Sequence, residues 1–417
     1  VTPPALPRVR ALSIHADYRC RHSGACCTSG WDIPVEPETE ERLRAALRSG
    51  ALRPRARDDQ IPPTALPAEP AGCLRSVVSL PYGARVVLGT DDAGRCAFFD
   101  PRRRPSGLCT VHGDLGERAL PSACHHFPRV VTLTPLGVSV TLSHYCPTAA
   151  GMLFRVVPAL SVVEDPSAFP PGRPYEGLDA REALPPLLRP GVLMDWPSLE
   201  RWERFAVSVL SVDRRSPEAA LEVLAVAAEE ARRWTPVDGP FGPFFEGVLG
   251  SWQALQGALR NGLSSPGDPV GRGSPGVRAW QLVADTVPRR AAAQGRGDLF
   301  PPAPEGLGEA DARWVAPAWP ALAPPIRCWL AARAFASWIA LQGEGLRTTV
   351  AFLRVALGLL RAEAARGSAE AARGLDRDLL HEAVRRTDLL LVHLADPEAL
   401  ARRLSRDETA EGPTAAW

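Results

Sequence analysis

Eight of the nine cysteines in this 417-residue chain, Cys20, Cys26, Cys27, Cys73, Cys96, Cys109, Cys124 and Cys146, fall in its first third, and only Cys328 lies beyond. The same third holds short β-like runs at 75–80, 84–88 and 130–142, broken by Pro, Gly and Asp turns, with little hydrophobic periodicity. A segment of this kind has weak means of burying a core by itself, so ligation that ties its loops together makes physical sense. The first twenty residues contain three prolines and no apolar run of signal-peptide length, which predicts a cytoplasmic protein. In a reducing compartment the thiols are then metal ligands, redox groups or buried small apolar residues rather than a disulfide framework. Their clustering beside Gly, Pro and His favours ligands over plain core residues.

Charge and composition exclude several functions. All 48 basic residues are Arg, which removes a Schiff-base lysine, a pyridoxal-phosphate enzyme and a lysine-bearing phosphate loop from consideration. Against 47 acidic residues the net charge is +1, so no general attraction to nucleic acid or to an anionic membrane is indicated. The longest apolar stretch, 328–342, is interrupted by Arg333 and falls short of the ~20 residues a spanning helix needs, which predicts a soluble chain.

The expected fold is α+β: a small loop-rich cysteine-cluster metal domain at 1–165, a proline-rich junction at 166–190, a mainly α-helical domain at 191–405, and a disordered tail at 406–417. Amphipathic patterns at 199–212, 241–259, 278–293, 325–342, 345–365 and 376–394 predict helices. So does the start Ser216-Pro217-Glu218, with Ser as N-cap and Pro in the first turn. Six or seven helices without a sequence repeat read as a bundle or array, with a Gly/Pro/Ser-rich linker at 262–276.

The most informative segment is Cys20-Arg21-His22-Ser23-Gly24-Ala25-Cys26-Cys27. Two adjacent thiolates can reach one metal from a tight loop, and Gly24 permits the sharp backbone this requires. Downstream come Cys96-Ala97-Phe98-Phe99-Asp100, Cys109-Thr110-Val111-His112, Cys124-His125-His126-Phe127-Pro128 and His144-Tyr145-Cys146-Pro147. The order and surroundings of these residues resemble the YkgJ-type cysteine-cluster family of zinc- or iron-chelating domains, whose opening pattern is C-x-x-C-G-x-C-C. Ser23 stands where that pattern has its second cysteine. Trp31, Leu115-Gly116, Pro128-Arg129 and Cys146-Pro147 with Ala149-Ala150 resemble the flagellin lysine-N-methylase branch. The resemblance covers about residues 15–152. It implies cysteine-bound iron or zinc, and the branch implies S-adenosylmethionine as methyl donor and exposed lysines of a partner protein as acceptors. Because this chain has no lysine, such an acceptor lies on another molecule.

The expected ligand set is Cys20, Cys26, Cys27, Cys96, Cys109, Cys124 and Cys146. These exceed the four thiolates of one structural zinc, which favours an iron-sulfur cluster, with zinc or mononuclear iron as alternatives. His22, His112, His125, His126 and His144 lie near cysteines as candidate outer-sphere donors. Cys73 is open between strand residue and ligand, and Cys328 reads as helix core. Gly271-x-Gly273-x-x-Gly276 matches a dinucleotide fingerprint in letters only, since no strand precedes it. Trp314, Trp319 and Trp329 read as core, with a cofactor or peptide groove as the alternative. No catalytic or cofactor-binding residue is assigned: Asp32 and Asp100 could orient ligands as easily as act on substrate. Two readings follow, a methyl-transferring enzyme and a non-enzymatic metal module or carrier.

Overall fold

The computed structural model describes residues 8–53, 72–79, 83–91, 94–102, 108–155, 160–169, 177–212, 215–258, 275–287 and 305–410. They form a mixed structure of sheet and helix. The first strand, β1 (Val9–Leu12), is followed by α1 (Pro37–Ser49), the hairpin β2 (Leu74–Ser79) and β3 (Gly83–Leu88), and the short pair β4 (Phe99–Asp100) and β5 (Leu108–Cys109). Then come α2 (Thr110–Leu115), α3 (Ser122–His126), the hairpin β6 (Arg129–Thr134) and β7 (Gly137–Leu142), α4 (Pro147–Met152), β8 (Val162–Glu164) and β9 (Leu178–Asp179). The helix α1 was not among the expected elements. Its boundary signals are ordinary, Pro37 in the first turn with Glu38 and Glu40, and Gly50 at φ 72 closing it, but its buried face is carried mainly by Leu43, Ala46 and Leu47. That apolar stripe is too narrow to stand out in a strongly charged segment.

The main sheet has the order β8-β1-β7-β6-β9. β1 runs parallel to β7 and antiparallel to β8, so Val9–Leu12 is paired on both sides. The strand β9 comes from the proline-rich stretch expected as a junction and pairs in parallel with β6. Val9, Ala11, Val131, Leu133, Val138 and Val140 cluster with Ala168 and Phe169. Thr132 and Thr141 donate instead to the carbonyls of Ala336 and Ala332, each at 3.2 Å, which ties the sheet to the helices.

The helical half is centred on Leu346–Glu370, which touches Pro275–Ala284, Pro217–Arg232, Arg377–Asp388 and Pro397–Ala410. Leu12, Ile14, Ala150 and Leu153 belong to the same core as these helices, so apolar packing runs continuously across the 166–190 stretch. Ser216 caps as expected, accepting from the Ala219 N–H at 3.1 Å. The single helix expected at 325–342 is two, Ala323–Ala334 and Trp338–Gln342. Between them Ala336 takes φ 54 and its N–H donates to buried Glu203 at 2.9 Å, so the α-helical ladder is interrupted there. The last helix reaches Ala410, which corrects the expected tail at 406–417; residues 411–417 lie outside the described residues. So do residues 262–274 of the expected linker, including Gly271 and Gly273. Gly276 has a packing reason of its own, because a Cβ there would stand 3.0 Å from that of Ala362 on the central helix. No helix among the described residues is long and apolar enough to cross a membrane.

Candidate metal centre

Leaving β1, the chain passes Tyr18 and Cys20 and enters a tight loop in which His22 (φ 54) and Gly24 (φ 74) are left-handed. At Gly24 this conformation is free of the side-chain clash other residues meet, and it leads directly into the single turn Ala25–Cys27. The Cys27 carbonyl accepts from the Cys96 N–H at 2.7 Å, and Phe99 pairs with Cys109 across β4 and β5. Three cysteine segments far apart in sequence are thus laced together by backbone. Cys109 caps α2, α3 carries Cys124, and Cys146 caps α4.

These elements surround a cavity of about 1090 Å³. Cys20, Cys26, Cys27, Cys109, Cys124 and Cys146 line it, and Cys96 borders an adjoining small cleft together with Cys26 and Cys27. Six of the seven expected ligands therefore face one space and the seventh lies just behind it. The nearby thiols of Cys109, Cys26 and Cys96 push the Cys27 thiol well above the usual thiol range. Its partner Cys109 is held down to about 7, first by the hydrogen bond from Cys27 and then by the backbone N–H groups of His112 and Val111, against burial acting the other way. A thiolate at a helix start with two amides aimed at it is in its ligand form near neutrality. Burial raises Cys124, whose neighbouring charges include Cys26, Cys96 and Cys109. On the outer side Cys20 is exposed, and Tyr18 Oη lies 3.6 Å from the sulfur of buried Cys146. Among the described residues, no three His, Cys, Asp or Glu side chains already stand as a finished ligand set for a metal ion. The thiols are free and are gathered around a space.

The neighbouring histidines divide. His22 and His112 meet at the cavity as a tilted pair with centroids 4.5 Å apart, and His125 there approaches Glu117 at 3.1 Å. His126 is buried against Phe169. His144 is withdrawn altogether: its backbone N–H and Nδ1 meet Asp388 Oδ2 at 2.5 and 3.1 Å, and its Nε2 lies 3.1 Å from that of His15. Burial alone would raise the Asp388 carboxyl, but Arg333 and the His144 bonds outweigh it and hold it below the ordinary range. Trp329 Nε1 donates to the other Asp388 oxygen at 2.9 Å. Beside this network, His393 stacks on Trp31 at 4.2 Å and bonds Ser143 at 2.7 Å.

Cys73 is buried in the apolar cluster of the cysteine-bearing segment and lines neither cavity, and Cys328 packs against the helical core. Asp32 pairs with Arg75, and Asp100 accepts from the backbone and side chain of Arg102. Trp329 and Trp319 are core residues whose indoles bond Asp388 and Glu218, so they form no open groove. Asp388, Arg333 and His393 were absent from the sequence-derived candidates because nothing local marks a partner some 250 residues away; Tyr18, two residues before Cys20, carried a visible spacing. Compared with family models, curated proteins and solved structures, the chain finds no match.

Proposed function

We propose that the chain is a metal-binding protein whose cysteines hold an iron-sulfur or other thiophilic centre at one wall of a substrate-sized cavity. The observation that carries this reading is the gathering of Cys20, Cys26, Cys27, Cys109, Cys124 and Cys146 around one cavity, with Cys96 at the adjoining cleft and Cys109 at a helix start where its thiol is held down. Soft, low-pKa sulfur donors suit iron or zinc, and displacing their protons is how such a group would take up metal. Cys124 adds a fifth thiol at the same wall, and Cys20 with Cys146 supply two more on the Tyr18 side. Bound there, a cluster would supply electron transfer or a Lewis-acidic iron facing the cavity. The chain's own contribution is orientation: the amides of Val111 and His112 stabilise the Cys109 sulfur, and Tyr18 sits against Cys146. Methyl transfer from S-adenosylmethionine to a partner's lysine, implied by the resemblance, would use this cavity, which is large enough for a small-molecule donor.

Metal and acid-labile sulfide analysis of anaerobically purified protein, with an absorption spectrum, tests the reading. Iron with sulfide and broad absorbance near ~400 nm is expected. Replacing Cys26 and Cys27 together by Ser should remove the metal and lower the melting temperature, since ligation contributes to folding. Metal-free wild-type protein with an unchanged double variant would overturn the proposal.

A further inference from the structure

Arg129 opens β6 and reaches into the wall of the cysteine cavity, where Arg19 joins it. Arg129 Nε donates to the Ala168 carbonyl at 2.9 Å, and its guanidinium carbon lies 5.2 Å from the centroid of the Tyr18 ring. Arg19 donates to the Tyr18 carbonyl at 2.9 Å. Neither forms an ion pair with a carboxylate among the described residues. The contrast with other partly buried arginines is direct: Arg361 is held by Asp311 at 2.7 Å and Arg347 by Glu229 at 2.5 Å. Among the described lining residues the one acid, Glu117, lies 3.1 Å from His125. Loss of water around Arg129 lowers its pKa, while Tyr18, Cys20 and Glu117 act to raise it. Apolar surface lies alongside, from Phe127, Leu120 and Phe169.

We infer that the cavity binds a small organic anion, its carboxylate or phosphate seated on the Arg129 fork with Arg19 at the rim, and its apolar body along Phe127 and Phe169. A planar guanidinium fork matches either oxyanion, and a partly buried one without an ion pair gains from a ligand that brings its own charge. The volume exceeds that of common small-molecule pockets, leaving room for ligand and metal centre together. The inference rests on the same cavity as the proposed metal centre and specifies what stands beside the thiols of Cys20 and Cys146.

The test is equilibrium binding of phenylacetate, phenyl phosphate and the neutral phenylacetamide to the full chain, with metal content measured on every sample. One or both anions should bind and the amide should not; which anion binds separates a carboxylate from a phosphate ligand. Arg129→Gln should weaken the bound anion at least about tenfold. Arg19→Gln, at an exposed residue, should weaken it less and retain the fold. Equal binding of amide and anions, or unchanged affinity in both variants, overturns the inference. Loss of metal in Arg129→Gln without any anion binding in wild type also overturns it, because Arg129 would then serve the thiolates. Anion binding that depends on Arg129 in protein free of metal supports the inference while removing the metal reading.

Discussion

Asp388 offers the sharpest test of how the two halves of the chain hold one another. Its carboxylate is fully buried, accepts from the His144 N–H and from the Trp329 indole, contacts His144 Nδ1, and lies 3.7 Å from Arg333. Asp388→Ala would leave two N–H donors unsatisfied in the interior at about 1–3 kcal/mol each. Arg333, itself buried, would keep the Leu142 carbonyl at 2.7 Å but lose its counter-charge. Since breaking a buried ionic network costs about 3–5 kcal/mol, the expected loss is of that order, a large share of the ~5–15 kcal/mol that stabilises an ordinary domain. Asp388→Asn keeps the shape and one acceptor and should cost less. Urea unfolding followed by tryptophan fluorescence reads both variants. A loss under ~1 kcal/mol in Asp388→Ala, or a larger loss in Asn than in Ala, would refute the idea that this carboxylate clamps the sheet to the helices.

Two further outcomes are expected. His393 is pushed down to about 4, chiefly by burial, with Asp388 opposing and Arg333 lowering it further; the unfolded chain therefore takes up this proton first, and the associated stability is complete above pH ~6.5 and lost progressively toward pH ~4, on the order of 3 kcal/mol in all. The stability of wild type minus that of His393→Gln, followed across this range, should shrink on acidification, and parallel curves would remove the effect. Ser23 lines the cavity where the resembling family has a thiolate; Ser23→Ala should leave metal stoichiometry intact, a neutral hydroxyl being a poor ligand at a soft site, and a clear loss of metal would make Ser23 a ligand.

What could be read from the chain was local. The β2/β3 and β6/β7 hairpins stand where alternating apolar runs meet turn residues, and the Ser216 cap and the Gly24 turn each follow from a few neighbouring side chains. The convergence of the cysteine segments was foreshadowed by their grouping. What stayed hidden depends on residues distant in sequence. Glu203 decides where the 325–342 pattern breaks by accepting the Ala336 N–H, and it also pairs with Arg10 at 2.9 Å. A charge pair of this kind has no periodicity to betray it. The His144 ring illustrates the limit: adjacent to a cysteine motif in sequence, it belongs in space to the Asp388 network.

The placement of β1 bears on how the molecule is made. Its neighbour in the sheet is β7, so that Val9 pairs with Val138 and Arg10 reaches Ser139 across 129 residues. During synthesis the first strand emerges long before the strand that will hold it, and the intervening chain must be closed into a very large loop before the pairing brings any return. The loop carrying Cys20, Cys26 and Cys27 hangs directly from that strand. Cys20, Cys26 and Cys27 therefore take their places around the cavity only after Cys109, Cys124 and Cys146 have been made, so reducing conditions during folding should raise the yield of native protein.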